Sequence, residues 1–241
     1  DLRSVVLGAD GRRAARRFGF NGWGGKYVMP GDETIGTELA GSAGLETVRS
    51  DWILEGGAID GDGAGLAVTT EQCLLHPNRN PSLARPAIEA RLCAALGFER
   101  VLWLGEGLIN DHTDGHVDNL ARFVAPGVLA IPGASGADDP NAGVYADAAA
   151  RARAFGLAVV QVPSPGLVGE EGDAEPASYM NFVIANRVVI VPTYASPHDD
   201  AAVAAIATLF PGRQTIGLPA DAVLTGGGSF HCCSCHVPVA G

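Results

Sequence analysis

Near the C-terminal end of the chain, Gly226, Gly227 and Gly228 lead into Ser229, Phe230, His231, Cys232, Cys233, Ser234, Cys235 and His236. Glycines let the backbone take positive φ and approach other groups closely. Soft nucleophiles and imidazoles follow them at once. Three readings are open: a reactive thiolate delivered by a turn, a thiolate–imidazole zinc site, or a glycine turn entering a buried, cysteine-containing strand. Zinc is the hardest to build, because neighbouring side chains diverge and no second Cys-x-x-Cys pair occurs.

A second cluster, residues 110–119, holds Asp111, His112, Asp114, His116 and Asp118 between two apolar runs. Such an insertion is either a solvated turn or the lining of a pocket. On an extended chain His116 and Asp118 would face one side, and an imidazole beside a carboxylate is material for general acid–base work. Glu55, followed by Gly56 and Gly57, closes the run Trp52, Ile53, Leu54. It reads either as a strand end in solvent or as a carboxylate in a cleft.

Positioning these groups requires a scaffold. Short Val- and Ile-rich runs at 5–7, 65–70, 101–104, 120–124, 128–131, 157–162 and 182–192 predict strands. Ala-rich amphipathic stretches at 82–96, 144–155 and 199–210 predict helices, with Gly97, Gly156 and Pro211 as stops. Strand pairs and helices alternate at roughly 60 residues, which points to a modular α/β architecture without a clean sequence repeat. One domain over 1–241 is the expectation.

Among the 241 residues, 47% are hydrophobic, enough for a sizeable core, so a disordered chain is excluded. The formal charge of -11 argues against a general nucleic-acid binder and favours a cationic ligand. Three of the five cysteines crowd into 232–235, unlike a secreted disulfide framework; a reducing cytoplasm is the simpler expectation. No apolar run approaches the ~20 residues of a membrane span. The chain opens at Asp1 rather than Met, which reads as processing or a fragment.

Two patterns are decoys. Asp60, Asp62, Gly65 and Glu71 nearly match a calcium loop, but Ala64 supplies no ligand and a strand-like run follows, so a hairpin turn is expected. The loop from Asn21 to Tyr27 is glycine-rich yet lacks a GK[ST] ending, so it reads as an aromatic-anchored turn rather than a phosphate cradle.

Taken in order, the strings 20–27, 54–60, 69–75 with 78–81, 110–119, 178–182, 210–213 and 226–232 resemble the agmatine deiminase family, the Porphyromonas-type peptidylarginine deiminases. The resemblance spans nearly the whole chain. It implies a pentein fold, a five-bladed β/α propeller, and hydrolysis of a guanidinium to a ureido group without metal or organic cofactor. By this resemblance Cys232 is the nucleophile, His116 the general acid–base and Glu55 its supporting carboxylate. Asp118 grips the guanidinium, and Asp1 and Trp23 are further substrate-contacting candidates. The implied partner is a small cationic guanidinium compound, with no nucleic acid and no membrane; a homodimer is an open assembly. The chain departs from the family after Cys232, where Cys233, Ser234 and Cys235 stand in place of Thr and Gln. His112 replaces a more usual Glu. An expected Trp-x-Arg-Asp-x-Gly-Pro motif has only Asp1 near its aspartate, with Arg3 and Ser4 beyond, so a shortened N-terminal blade is expected.

Overall fold

The computed structural model describes residues 2–7, by backbone, together with 12–170 and 173–237. Its strands and helices repeat one motif four times. Each unit has two antiparallel strands, a helical crossover, and a third strand parallel to the second. Parallel strands cannot be joined by a tight turn, so each unit needs its crossover.

The first unit comprises β1 (Leu2–Leu7), β2 (Arg13–Gly19), the kinked turn α1 (Gly22–Gly25), α2 (Ile35–Ser42) and β3 (Glu46–Ile53). The second has β4 (Ile59–Gly61), β5 (Leu66–Thr70), the single turn α3 (Glu71–Leu74), α4 (Arg85–Leu96) and β6 (Arg100–Leu104). In the third, β7 (Arg122–Ala125) and β8 (Val128–Gly133) precede α5 (Ala142–Phe155) and β9 (Ala158–Pro163). A two-strand ribbon, β10 (Gly169–Glu170) with β11 (Asp173–Ala174), leads to the fourth. That unit has β12 (Val183–Ile184), β13 (Val188–Thr193), α6 (Asp199–Leu209) and β14 (Gln214–Pro219), followed by α7 (Asp221–Leu224). The units begin at Leu2, Ile59, Arg122 and Val183, about 60 residues apart, as the sequence spacing predicts.

Local chemistry sets the element ends. Pro86 occupies the first turn of α4, where a missing N–H costs nothing, and Gly97 and Gly156 close α4 and α5 in the left-handed conformation at φ 77° and 101°. Asp199 and Asp200 begin α6, where negative charge complements the helix dipole. The α5 helix packs on both β8 and β6, and α6 on both β14 and β9, so each helix spans its own sheet and the preceding unit's last strand. The apolar core therefore lies between units: Val68, Leu104, Phe123, Ile131 and Tyr145 in one cluster, Phe182, Val191 and Ile206 in the next.

The strand expected at 120–124 begins only at Arg122, and the run 182–192 is two strands separated by a bend. Most of the first unit was invisible as an apolar pattern. Arg13, Arg16 and Arg17 sit on β2 and Glu46, Arg49 and Asp51 on β3; Ala15, Ala40 and Leu45 form a small core cluster there, while Phe18 and Trp52 join the core of the second unit. The calcium decoy is a hairpin turn between β4 and β5. Asp62 Oδ1 accepts from the backbone N–H groups of Ala64 at 2.7 Å and Leu66 at 2.9 Å. Asp60 accepts from Phe123 N–H at 2.6 Å, tying the second unit to the third.

Candidate active site

Three one-turn 3₁₀ helices introduce the second, third and fourth units: Gly56–Ala58, Val117–Asn119 and Tyr179–Asn181. They pack on one another in series, the first on the second and the second on the third. Glu55 precedes the first, His116 precedes the second with Asp118 and Asn119 inside it, and Asn181 ends the third. Residues remote in sequence thus meet because equivalent turns of neighbouring units meet.

His116 and Asp118 therefore do not lie on an extended chain, the case in which alternation would have aligned them. They converge because the turn wraps both around Gly57. A Cβ on that glycine would lie 2.5 Å from His116 Nδ1 and 2.8 Å from Asp118 Oδ2, closer than any side chain tolerates. Glycine is required there for close approach.

The cysteine segment is also not a strand. It is a turn in which Ser234 N–H donates to the His231 carbonyl at 3.0 Å. Asn181 holds it: its Oδ1 accepts from His231 N–H at 2.8 Å and from Cys232 N–H at 3.2 Å. Its Nδ2 donates to Cys232 Sγ at 3.1 Å and to Asn119 Oδ1 at 2.9 Å. Asp118 Oδ2 meets His231 Nδ1 at 2.8 Å and Cys232 Sγ at 3.6 Å. Cys232 is exposed as a residue while its sulfur faces these partners; Cys233 and Cys235 are exposed.

A second polar group adjoins the first. Glu55 does not hydrogen-bond to His116 as its supporting role would require. Its Oε1 instead accepts from Arg79 Nε at 2.9 Å, and both side chains are fully buried. The same guanidinium donates to Asn78 Oδ1 at 2.8 Å, to the Thr113 carbonyl at 2.7 Å and to Asp114. Asp114 also binds Lys26. Lys26 follows the glycine turn α1, so that loop ends in an ion pair within the site wall. Trp23 lies in the same loop, edge-to-face with Phe20 at 4.9 Å and Tyr27 at 6.1 Å. The adjacent Gly24 presses on Asn78 and Arg79, which places Trp23 beside the arginine-centred group rather than in the described contacts of Cys232. Asp1 lies outside the described residues.

Charge distributes unevenly between the groups. Burial opposes ionisation of Asp114, but donation from Lys26, Asn78 and Arg79 prevails and holds its carboxyl at about 2. Burial likewise opposes ionisation of Asp118, yet the hydrogen bond and charge of His231, with His116 and Arg122, bring it below the usual carboxylate range. Exclusion of water around the sulfur, and after it the Asp118 carboxylate, push the Cys232 thiol upward.

Among the buried polar atoms that lack hydrogen-bond partners are Glu55 Oε2, His116 Nε2 and Asp118 Oδ1. Two are carboxylate acceptors and one belongs to an imidazole. Leaving such groups unpaired is costly unless a ligand completes them.

Sequence reasoning singled out Cys232, His116, Glu55 and Asp118 but assigned no role to Arg79, Asp114, Asn119, Asn181 or His231. The signal that singled out 110–119, polar residues interrupting apolar runs, also marks Arg79 among 78–80 and Asn181 before Phe182.

Fold and site together define a cysteine-bearing α/β protein whose buried, unpartnered carboxylate oxygens suit a cation. Residues 2–238 match the Porphyromonas-type peptidyl-arginine deiminase family, and the chain belongs to it. A Marinomonas sp. protein provisionally named agmatine deiminase is 34% identical, covering 98% of this chain and 71% of its own length. The agmatine deiminase of Enterococcus faecalis superimposes with a TM-score of 0.88 at 33% identity, covering 95% of this chain and 71% of that one. A C. jejuni agmatine deiminase solved with substrate bound gives 0.86 at 31% identity, over 92% and 67%. The mixed α/β fold is that of these agmatine deiminase structures.

Proposed function

We propose that this chain hydrolyses the guanidinium of agmatine to a ureido group, giving N-carbamoylputrescine and ammonia through a covalent intermediate on Cys232. The observation that carries the reading is the set of unpartnered buried atoms at Glu55 Oε2, Asp118 Oδ1 and His116 Nε2. A guanidinium is planar, cationic and rich in N–H donors, and carboxylates are its natural acceptors. The four ββαβ units are read as blades of a pentein propeller, with the site where the opening turns of the second, third and fourth units meet.

The resting Cys232 is a thiol because of its desolvated surroundings and Asp118. A cation bound against Asp118 offsets that carboxylate, lowers the cost of the thiolate and supplies the electrophile together. The thiol proton passes to His116, and the sulfur attacks the central guanidinium carbon and forms a tetrahedral adduct. His116 donates a proton to the departing nitrogen, ammonia leaves, and an amidino-thioether remains on Cys232. His116 next takes a proton from water, whose oxygen adds to the same carbon. Collapse releases the ureido product and returns the proton to sulfur. Asn181 positions the nucleophile through its bonds to Cys232 N–H and Sγ.

Agmatine rather than arginine is favoured because the cations near the site are already committed. Arg79 serves Glu55 and Asp114, Arg122 serves Asp60 and the Met180 and Phe182 carbonyls, and Lys26 serves Asp114. A substrate carboxylate would have to take one of them. Among the described residues no helix is long and apolar enough to cross a membrane; the free thiols suit a reducing cytoplasm.

The test is a parallel assay of ureido product and ammonia from agmatine, free arginine and an arginyl peptide. Agmatine should exceed both others in kcat/KM. His116→Ala should lose turnover at saturating substrate, whereas Asp118→Asn should chiefly weaken binding, since its amide presents donors to donors. Equal kcat/KM for arginine would overturn the substrate assignment.

A further inference from the structure

We propose that Glu55, Cys73 and His116 form an inhibitory site for a soft divalent cation, Zn²⁺ foremost, independent of the cysteines at 232–235. The inhibition rests on the reading of His116 as the acid–base group; the site itself rests on geometry. One ligand atom from each residue lies within 4.8 Å of the other two, and all three residues are buried. They come from separate segments. Cys73 sits in α3, whose first turn is capped by Thr70 Oγ1 accepting from Cys73 N–H at 3.2 Å. Glu55 and His116 flank the opening turns of the second and third units.

A second observation points to a ligand. Glu55 Oε2 and His116 Nε2 are both buried and unpartnered, so each has a lone pair or proton site unspent by the protein. Arg79 fixes the opposite oxygen, Oε1, at 2.9 Å and so orients the carboxylate with Oε2 free. Thiolate, imidazole and carboxylate are the donors zinc prefers, and three protein ligands leave its fourth position open. Bonds of about 2.0–2.3 Å require ligand atoms roughly 3.3–3.8 Å apart, so side-chain movements of about 1 Å suffice. The positive charge of Arg79 opposes a cation here, while Asp111, Asp114 and Asp118 favour one.

On binding, Cys73 gives up its thiol proton to solvent and a metal–sulfur bond replaces the S–H bond. The metal also takes the imidazole lone pair that the reaction needs and the carboxylate oxygen left for the guanidinium. Substrate and metal cannot both use those atoms, so inhibition should weaken as agmatine rises.

The experiment titrates Co²⁺, as an optical stand-in for Zn²⁺, into the chelator-treated full chain, and separately assays ureido formation against added Zn²⁺. One equivalent of Co²⁺ should give tetrahedral d–d bands and a sulfur-to-cobalt charge-transfer band. That band should survive in Cys232→Ser and vanish in Cys73→Ser and Cys73→Ala. Zn²⁺ should inhibit the wild-type chain, a chelator should restore it, and the Cys73 variants should need at least tenfold more Zn²⁺. A charge-transfer band that follows Cys232, or Cys73 variants inhibited at the wild-type Zn²⁺ concentration, would overturn the site. A chain with no agmatine turnover before metal is added would overturn the proposed activity instead, and the Co²⁺ spectrum would still decide the site.

Discussion

Two polar groups lie side by side in the candidate site, built on opposite principles. Around Arg79 the guanidinium has partners on all three nitrogens, and one of the two acids it binds, Asp114, is shared with Lys26 and Asn78. Around Cys232 the backbone turn is pinned by Asn181, but acceptors and an imidazole nitrogen nearby stay unspent. A saturated network gains nothing further from a ligand and serves to hold the wall. An unsaturated one is unfavourable alone and favourable when a complementary cation arrives. Glu55 belongs to both, with one oxygen spent on Arg79 and the other open. Neighbouring carboxylates can thus divide support and chemistry between them by partner count alone.

The comparison is sharpened most by separating activity from stability. Cys232→Ser should lower turnover by at least about 10⁴-fold, because no other group replaces the thiolate. Its unfolding midpoint in urea should be nearly unchanged. Cys233→Ser and Cys235→Ser should keep turnover within a factor of about three. Loss of activity in Cys235→Ser alone would move the nucleophile and break the assignment.

Arg79→Ala should show the reverse emphasis. It leaves Glu55 and Asp114 in the wall without their shared counter-ion, and removing one partner of a buried pair costs about 3–5 kcal/mol. Urea unfolding followed by far-UV circular dichroism would measure it. A loss below about 1 kcal/mol would show that the arginine-centred group does not support the wall.

The smallest expected effect concerns acid. Asp114 titrates at about 2 in the folded chain against about 3.9 in an unfolded one, a depressed value. Its contribution, on the order of 2 kcal/mol, is therefore present above about pH 4 and lost as pH falls towards 2. Asp114→Asn should flatten that acid limb of a stability–pH curve. An unchanged slope would show that Lys26 and Arg79 stabilise the Asp114 carboxylate no better than water does.

Parts of the fold were legible because burial writes itself into composition. The strands β5, β6, β8 and β9 and the helices α4, α5 and α6 all coincide with apolar runs or Ala-rich stretches ended by glycine or a change in pattern. In the first unit only β1 was legible, from the run 5–7; β2 and β3 carry arginines and acids and bury few large apolar side chains, so neither strand shows clean alternation. Residues whose chemistry is rare outside a site, Cys232 after three glycines and His116 among aspartates, were visible as types.

By itself, then, the sequence determined which side chains were available and the roughly 60-residue cadence that repeats the ββαβ unit. Tertiary structure decided their partners. Spacing said only that His116 and Asp118 would face one way if extended; both instead wrap around Gly57 in a turn, and Glu55 binds Arg79 rather than His116. Asn181 and His231 joined the site only because opening turns of successive units stack. The physical reason is that hydrophobic periodicity is a local property of the chain. A hydrogen bond between residues 118 and 231, at 2.8 Å, depends on how separate units pack and has no local signature.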